Sequence, residues 1–234
     1  MVYLSRVLLC VSFFFGCLST ANARLVDFEE PDLPIVQHDF PFGNISQQFV
    51  HDLGNGLTLT MTAFIITGND GDGNISSRTQ LDNIDGVYFG SSGVKIPSYQ
   101  ENSSDDSDLD GASHGQNGTD YDEGILFSFN KIVELKRLNF GSFGSSDDFN
   151  LEVDGVNLMH DIGSFDTHAL IKSTPQDDYF NFQNIFGKEF LVWADGDSDD
   201  FRIDDITFDV PEPATIPLML FALSTFVFVR RKYS

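Results

Sequence analysis

The stretch DDFNLEVDG (residues 147–155) places Phe149, Leu151 and Val153 on one parity and Asn150, Glu152 and Asp154 on the other. Alternation with a period of two sends successive side chains to opposite faces of a strand, so one face is buried and the other wetted. The pattern recurs along the chain. LTLTMTAFII (57–66) alternates apolar residues with Thr through Ala63, and GILFSFN sets Ile125, Phe127 and Phe129 on one side. EFLVWA (189–194) is almost continuously apolar and reads as a central strand, with Trp193 a core side chain. Outside the two ends, no window sustains the 3.6-residue period of a helix. Many short strands separated by turn residues bury their faces against one another, so the expected fold class is all-β, a jelly-roll-like β-sandwich.

Two segments change parity midway. In FRIDDITFDV (201–210), Phe201 and Ile203 share one parity, while Ile206, Phe208 and Val210 share the other. One extra residue near Asp204–Asp205 brings both sets to a common face, as a β-bulge does. VELKRLNF shifts in the same way, from Val133 and Leu135 to Leu138 and Phe140. DDFNLEVD (147–154) and DDFRIDDI (199–206) resemble each other as two loop-to-strand transitions, without a fixed repeat period through the chain.

All 36 acids and nine of the 13 Lys and Arg fall in residues 24–213, a net charge of −27 for that portion. Such a polyanion excludes nucleic acid as a partner, because phosphate binding requires Lys and Arg, and it attracts cations. Asp outnumbers Glu 28 to 8, and Asp favours turns, caps and ion sites over helix interiors. Both cysteines, Cys10 and Cys17, precede residue 24, so a chain starting there has no disulfide and no thiolate metal site. Four N-x-[ST] sequons, at Asn44, Asn74, Asn102 and Asn117, are chance products of a composition rich in Asn, Ser and Thr.

The two ends differ from everything between them. Residues 1–23 carry Arg6, an apolar run from Val7 to Leu18 and the small residues ANA at 21–23, the layout of a cleaved secretory signal read by a signal peptidase. A lipoprotein signal ending at Cys17 fits less well, since Phe14 and Phe15 replace small aliphatic residues. Residues 210–234 carry Pro211-Glu212-Pro213, an apolar run from Ile216 to Val229, and then Arg230, Arg231 and Lys232. A helix of that run spans roughly 21 Å against roughly 30 Å of hydrocarbon, enough for transient inner-membrane anchoring. The terminal cations hold the last residues in the cytoplasm while the signal sends the body outward. The expected division is therefore a signal peptide (1–23), a β-sandwich domain (24–209) and a C-terminal signal (210–234).

Tripeptide, apolar run and basic cluster in that order resemble a PEP-CTERM sorting signal over about the last 24 residues. A GPI signal fits worse, because its tail ends apolar. The resemblance implies a Gram-negative bacterium that makes exopolysaccharide. It also implies an exosortase-type enzyme that recognises and cuts near the tripeptide, and delivery to the cell surface or extracellular matrix. Pro211, Glu212, Pro213, Arg230, Arg231 and Lys232 are then features of a substrate rather than catalysts. In the body, LVDFEE, DYDEGILFSFNKIVELKRLNFGSF and FRIDDITF resemble the strands of lectin-like or carbohydrate-module-like sandwiches found in PEP-CTERM proteins.

Three acidic loops are candidate Ca²⁺ sites. DSDLDG supplies Asp106, Asp108 and Asp110 followed by Gly111, the spacing of the first half of a calcium loop, although Asn117 stands where a bidentate Glu is expected. DGDGN supplies Asp70, Asp72 and Asn74, and DGDSDD supplies Asp195, Asp197 and Asp199. Oxygen ligands at this density suit Ca²⁺ rather than zinc. By analogy with jelly-roll modules, Glu29 and Asp205 are candidates for an ion tying the first strand to the last. With 28 Asp, however, such runs also arise from composition alone.

No nucleophile elbow, zinc-protease helix, P-loop or dinucleotide fingerprint occurs, and His38, His51, His114, His160 and His168 lack metal spacing. The expectation is a non-enzymatic exported protein, associated with exopolysaccharide or biofilm. A calcium-stabilised carbohydrate-binding module is the first alternative. A polysaccharide hydrolase or lyase, which needs only two carboxylates at a set separation, is the second.

Overall fold

A computed structural model describes residues 23–28, 45–46, 48–67, 77–80, 87–90, 93–96, 109–110, 122–163, 171–173, 179–194 and 199–211. Among these residues there are fourteen strands and no helix: β1 (Arg24–Asp27), β2 (Ile45–Ser46), β3 (Gln48–Asp52), β4 (Thr58–Thr67), β5 (Ser77–Gln80), β6 (Val87–Gly90), β7 (Gly93–Lys95), β8 (Leu109–Asp110), β9 (Asp122–Gly141), β10 (Asp148–Val153), β11 (Val156–Gly163), β12 (Ile171–Ser173), β13 (Tyr179–Ala194) and β14 (Asp200–Asp209). All the pairings among them are antiparallel. The all-β expectation is met. Residues 1–22 of the expected signal and the C-terminal apolar helix expected at 216–229 lie outside the described residues.

Two long strands organise the fold. β9 and β13 pair along most of their length, from Tyr179↔Asn139 to Trp193↔Gly124. Each changes its second partner partway. The other edge of β9 pairs with β4 from Ile66↔Asp122 to Leu59↔Phe129, then with β14 from Asp209↔Glu134 to Arg202↔Gly141. The other edge of β13 pairs with β12 around Phe180–Phe182 and with β10 from Phe190 to Ala194. GILFSFN and VELKRLNF are thus one continuous strand of 20 residues rather than two. Sequence parity cannot show this, because the alternation breaks at Asn130, Lys131 and Ile132 between them.

The point where β9 changes partners is occupied by a turn. Between β3 and β4, Gly54, Asn55 and Gly56 adopt φ of 78°, 56° and 66°, the left-handed region that Gly and Asn reach most easily. Asn130 Oδ1 accepts from the Thr58 N–H at 3.0 Å, and Asn130 Nδ2 donates to Gly56 O at 3.0 Å. Lys131 Nζ donates to Asn55 O at 3.0 Å. The exposed polar break in the β9 pattern therefore supplies the hydrogen bonds that β4 and β14 do not.

The parity changes are bulges. In the β9–β14 ladder, register shifts between Ile203 and Asp205, leaving Asp204 as the extra residue of β14. It shifts back between Thr207 and Phe208, where Lys136 is the extra residue of β9. One bulge in each strand restores the register. Phe201, Ile203, Ile206 and Phe208 are all fully buried, as are Val133, Leu135, Leu138 and, nearly so, Phe140. The expected bulge at Asp204–Asp205 is present.

Phe-rich packing ties β9 to its ladder neighbours β13 and β14 and to β10, with which it does not pair. Phe140 of β9 lies 4.8 Å from Phe149 of β10, 5.5 Å from Phe180 of β13 and 5.1 Å from Phe201 of β14. Phe129 of β9 lies 4.7 Å from Phe208 of β14. These tilted and edge-to-face contacts close a shared sandwich-like interior. On the opposite face, Leu191 and Trp193 pack with Ile66, Phe64 and Leu126. Trp193 fills the space above Gly124, where an added Cβ would come within 2.8 Å of the Trp193 Cβ. Trp193 is a core residue and β13 a central strand, as the continuous apolar run predicts.

Candidate functional site

The register of the strands gathers acidic residues at one end of the sheet. Asp110, last of the DSDLDG acids, pairs with Asp200, and Leu109 pairs with Phe201. The backbone of Asp110 therefore lies beside the start of β14, which Asp199 immediately precedes. Phe149↔Ala194 and Trp193↔Gly124 bring the starts of β10 and β9 beside the end of β13. Those starts contribute Asp147, Asp148, Asp122 and Glu123. Asp122, Glu123, Asp147 and Asp199 are 3%, 2%, 7% and 5% exposed, an unusual depth for four carboxylates. The Asp148 N–H donates to Asp199 Oδ1 at 3.0 Å, and the Gly144 N–H donates to Asp147 Oδ2.

That contact links the two DDF segments. In each, the first Asp is buried, the second starts the strand and the Phe is fully buried. Their likeness in sequence reflects two parallel solutions at one end of the body. Asp122, Glu123, Asp147 and Asp148 were not among the sequence candidates. Their signal was the pairing of two acids immediately before an apolar strand.

The remaining candidates are distributed as follows. Asp70, Asp72, Asn74, Asp106, Asp108, Asp195, Asp197 and Glu29 lie outside the described residues. Asp205 accepts from Asn139 Nδ2 at 3.0 Å and approaches Arg137 Nη2 at 3.5 Å. The first and last strands are joined by a backbone ladder running from Arg24↔Phe208 to Asp27↔Asp205, and the Phe28 N–H donates to Asp204 O at 2.9 Å. Among the described residues, no group of three or more His, Cys, Asp or Glu side chains is arranged to hold a metal ion. His51 and His160 stand on separate strands, β3 and β11, and His160 Nδ1 lies 3.0 Å from Asp161 Oδ2.

A second feature is the exit of the last strand. β14 is paired on both edges, with β9 on one side and with β8, β7 and β1 on the other. It ends at Asp209. Lys136 Nζ, on the β9 bulge, lies 2.7 Å from Glu134 Oε1 and 3.6 Å from Asp209 Oδ2. Val210 is half-buried, and Pro211 is exposed and outside any strand. Glu212, Pro213, Arg230, Arg231 and Lys232 lie outside the described residues. Among the described residues no helix is long and apolar enough to cross a membrane.

Comparison with protein families matches residues 209–232 to the PEP-CTERM protein-sorting motif. No curated protein and no solved structure matches the chain. The matched segment starts on Asp209, the final residue of β14, so strand and motif share a residue.

Proposed function

We propose, with the PEP-CTERM motif at 209–232 as the premise, that this chain is an exported substrate of an exosortase-type enzyme. The signal peptide sends residues 24–209 across the inner membrane as a jelly-roll-type sandwich. The tail docks in the bilayer until Pro211-Glu212-Pro213 is processed, and the body is then delivered to the cell surface or extracellular matrix of a Gram-negative bacterium. The body acts without catalysis and associates with exopolysaccharide or biofilm.

The single observation that carries this reading is the motif's position: it begins on the last residue of β14, a strand paired on both edges. The test is to delete residues 210–234 and follow the protein in a host that has the sorting system. Retention of the truncated body in the periplasm supports the reading, whereas unchanged destination and processing overturn it.

A second reading, a calcium-stabilised carbohydrate-binding module, is favoured by the backbone pairing of Asp110 with Asp200, the residue after Asp199. Ca²⁺ bound there offsets the repulsion among buried carboxylates, and binding to the folded state alone raises stability by mass action. The expected outcome is a higher melting temperature in millimolar Ca²⁺ at fixed ionic strength, reversed by EDTA. An unchanged melting temperature removes this reading.

A further inference from the structure

Asn55 and Gly56 are the central residues of the turn between β3 and β4, which the Leu57 N–H closes by donating to Gly54 O at 3.1 Å. Both residues are exposed. We infer that Asn55 is a site of spontaneous deamidation, and that the Lys131 ammonium promotes the reaction.

An Asn followed by Gly meets little steric resistance to this chemistry, because Gly has no Cβ to shield its amide nitrogen. The Gly56 nitrogen attacks the Asn55 side-chain carbonyl carbon. A bond forms between that nitrogen and Cγ, the Cγ–Nδ2 bond breaks, and ammonia leaves with the proton that the Gly56 nitrogen gives up. Water then opens the resulting five-membered imide at one of its two carbonyls. Opening at Cγ gives aspartate, and opening at the backbone carbonyl gives an isoaspartyl link. The net change is one water consumed and one ammonia released, with no oxidant or reductant.

The attack requires the Gly56 amide to lose its proton, and the turn favours that step. Among the described residues the Gly56 N–H makes no hydrogen bond, so it is open to solvent base. As it ionises, amide resonance spreads the charge onto Asn55 O. Lys131 Nζ donates to that same oxygen at 3.0 Å. The ammonium also lies 3.8 Å from the point where a Cβ on Gly56 would stand, which places it beside the reacting peptide unit. A neighbouring opposite charge favours the ionised form, and a donor already aimed at developing charge lowers the barrier. Lys131 is exposed, so water and salt hold the gain to several-fold. The two products act differently on the fold. Aspartate adds one negative charge and leaves the backbone length unchanged. The isoaspartyl link adds a carbon to the backbone between residues 55 and 56, inside the ring closed by the Leu57 N–H on Gly54 O and the Leu53 N–H on Leu57 O. It loosens the turn at the point where β9 passes from β4 to β14.

The test incubates the purified full chain at mildly alkaline pH and follows conversion of Asn55 by peptide mass mapping. K131Q and K131R are treated in parallel, with circular dichroism to show that each is folded. A free peptide of residues 53–57 serves as the clock, and Asn117–Gly118, the chain's other Asn-Gly pair, as the internal reference. The expected result is replacement of the Asn55 amide by a carboxyl group in the folded chain. K131Q slows it several-fold, K131R restores it, and the rate at Asn117 is the same in all three proteins. An unconverted Asn55 at the time the peptide has fully converted overturns the site. Equal rates at Asn55 in wild type and K131Q, or equal slowing in K131Q and K131R, overturn the role of the Lys131 charge.

Discussion

At the residue scale, close approach separates glycines that look alike in sequence. Gly93 has φ of 99°, and a Cβ there would meet Asp204 Oδ1 at 2.7 Å and the Ile203 carbonyl oxygen at 2.8 Å. Gly54 has φ of 78° and nothing within 4 Å of an added Cβ. Gly93→Ala combines backbone strain with a clash against backbone and should cost about 2–4 kcal/mol, whereas Gly54→Ala carries strain alone, about 1–2 kcal/mol. Urea midpoints of the two purified variants check the order, and equal midpoints would show that β7 gives way without cost. His51 provides a pH test. Burial holds its pKa below the ordinary value of 6.5, and the neighbouring Asp52 carboxylate opposes that shift in part. The folded protein then binds fewer protons at this imidazole than the unfolded chain does. Its contribution is present above 6.5 and is lost as pH falls from there toward the lower folded value. His51→Gln should flatten the fall in stability between about pH 7 and 5, read from melting temperatures across that range.

At the scale of elements, the bulges were legible because parity is a local property. Phe201 and Ile203 against Ile206 and Phe208 already require an added residue, whichever strand lies alongside. Deleting Asp204 should turn one apolar pair out of the interior at a cost above about 4 kcal/mol, so that no folded protein accumulates. Asp204→Asn keeps the residue count and should remain folded; far-UV circular dichroism separates the two. Pairing was not legible in the same way. That Leu59 faces Phe129, or that Asn130 and Lys131 hold a turn more than 70 positions away, depends on register between distant segments. The Asp154 turn shows the same limit. Alternation ends there in sequence, but only the structure shows Asp154 Oδ1 accepting the Lys188 and Glu189 N–H groups at 2.9 Å each. Asp154 has φ of 49°, which Asn also tolerates. Asp154→Ala should therefore cost about 1–2 kcal/mol and Asp154→Asn distinctly less, as measured by chemical denaturation. The acidic end was half legible for a related reason. Asp110 and Asp199 were visible as D-x-D runs, while Asp122, Glu123 and Asp147 became relevant only when the strand ends converged.

At the scale of the whole molecule, charge decides how stability responds to the solvent. The acidic portion carries a net charge of −27, and among the described residues Asp52, Asp154, Asp161 and Glu189 are exposed to water and salt. Repulsion among exposed charges is screened once the Debye length falls from roughly 30 Å at 0.01 M to about 8 Å at 0.15 M ionic strength. The four carboxylates buried at the acidic end are screened far less, because salt does not enter their surroundings. Sodium chloride and calcium therefore report on different parts of the molecule. Melting temperature should climb by a few degrees as NaCl rises from 0.01 to about 0.15 M and then level off, a gain of about 1 kcal/mol for a body of this size. Replacing part of the NaCl by CaCl₂ at constant ionic strength isolates the acidic end, since any further rise cannot come from general screening. A flat response to NaCl would mean that the sheet's Phe-rich interior outweighs surface repulsion under all conditions. The extreme charge would then bear only on solubility and partners, and not on stability.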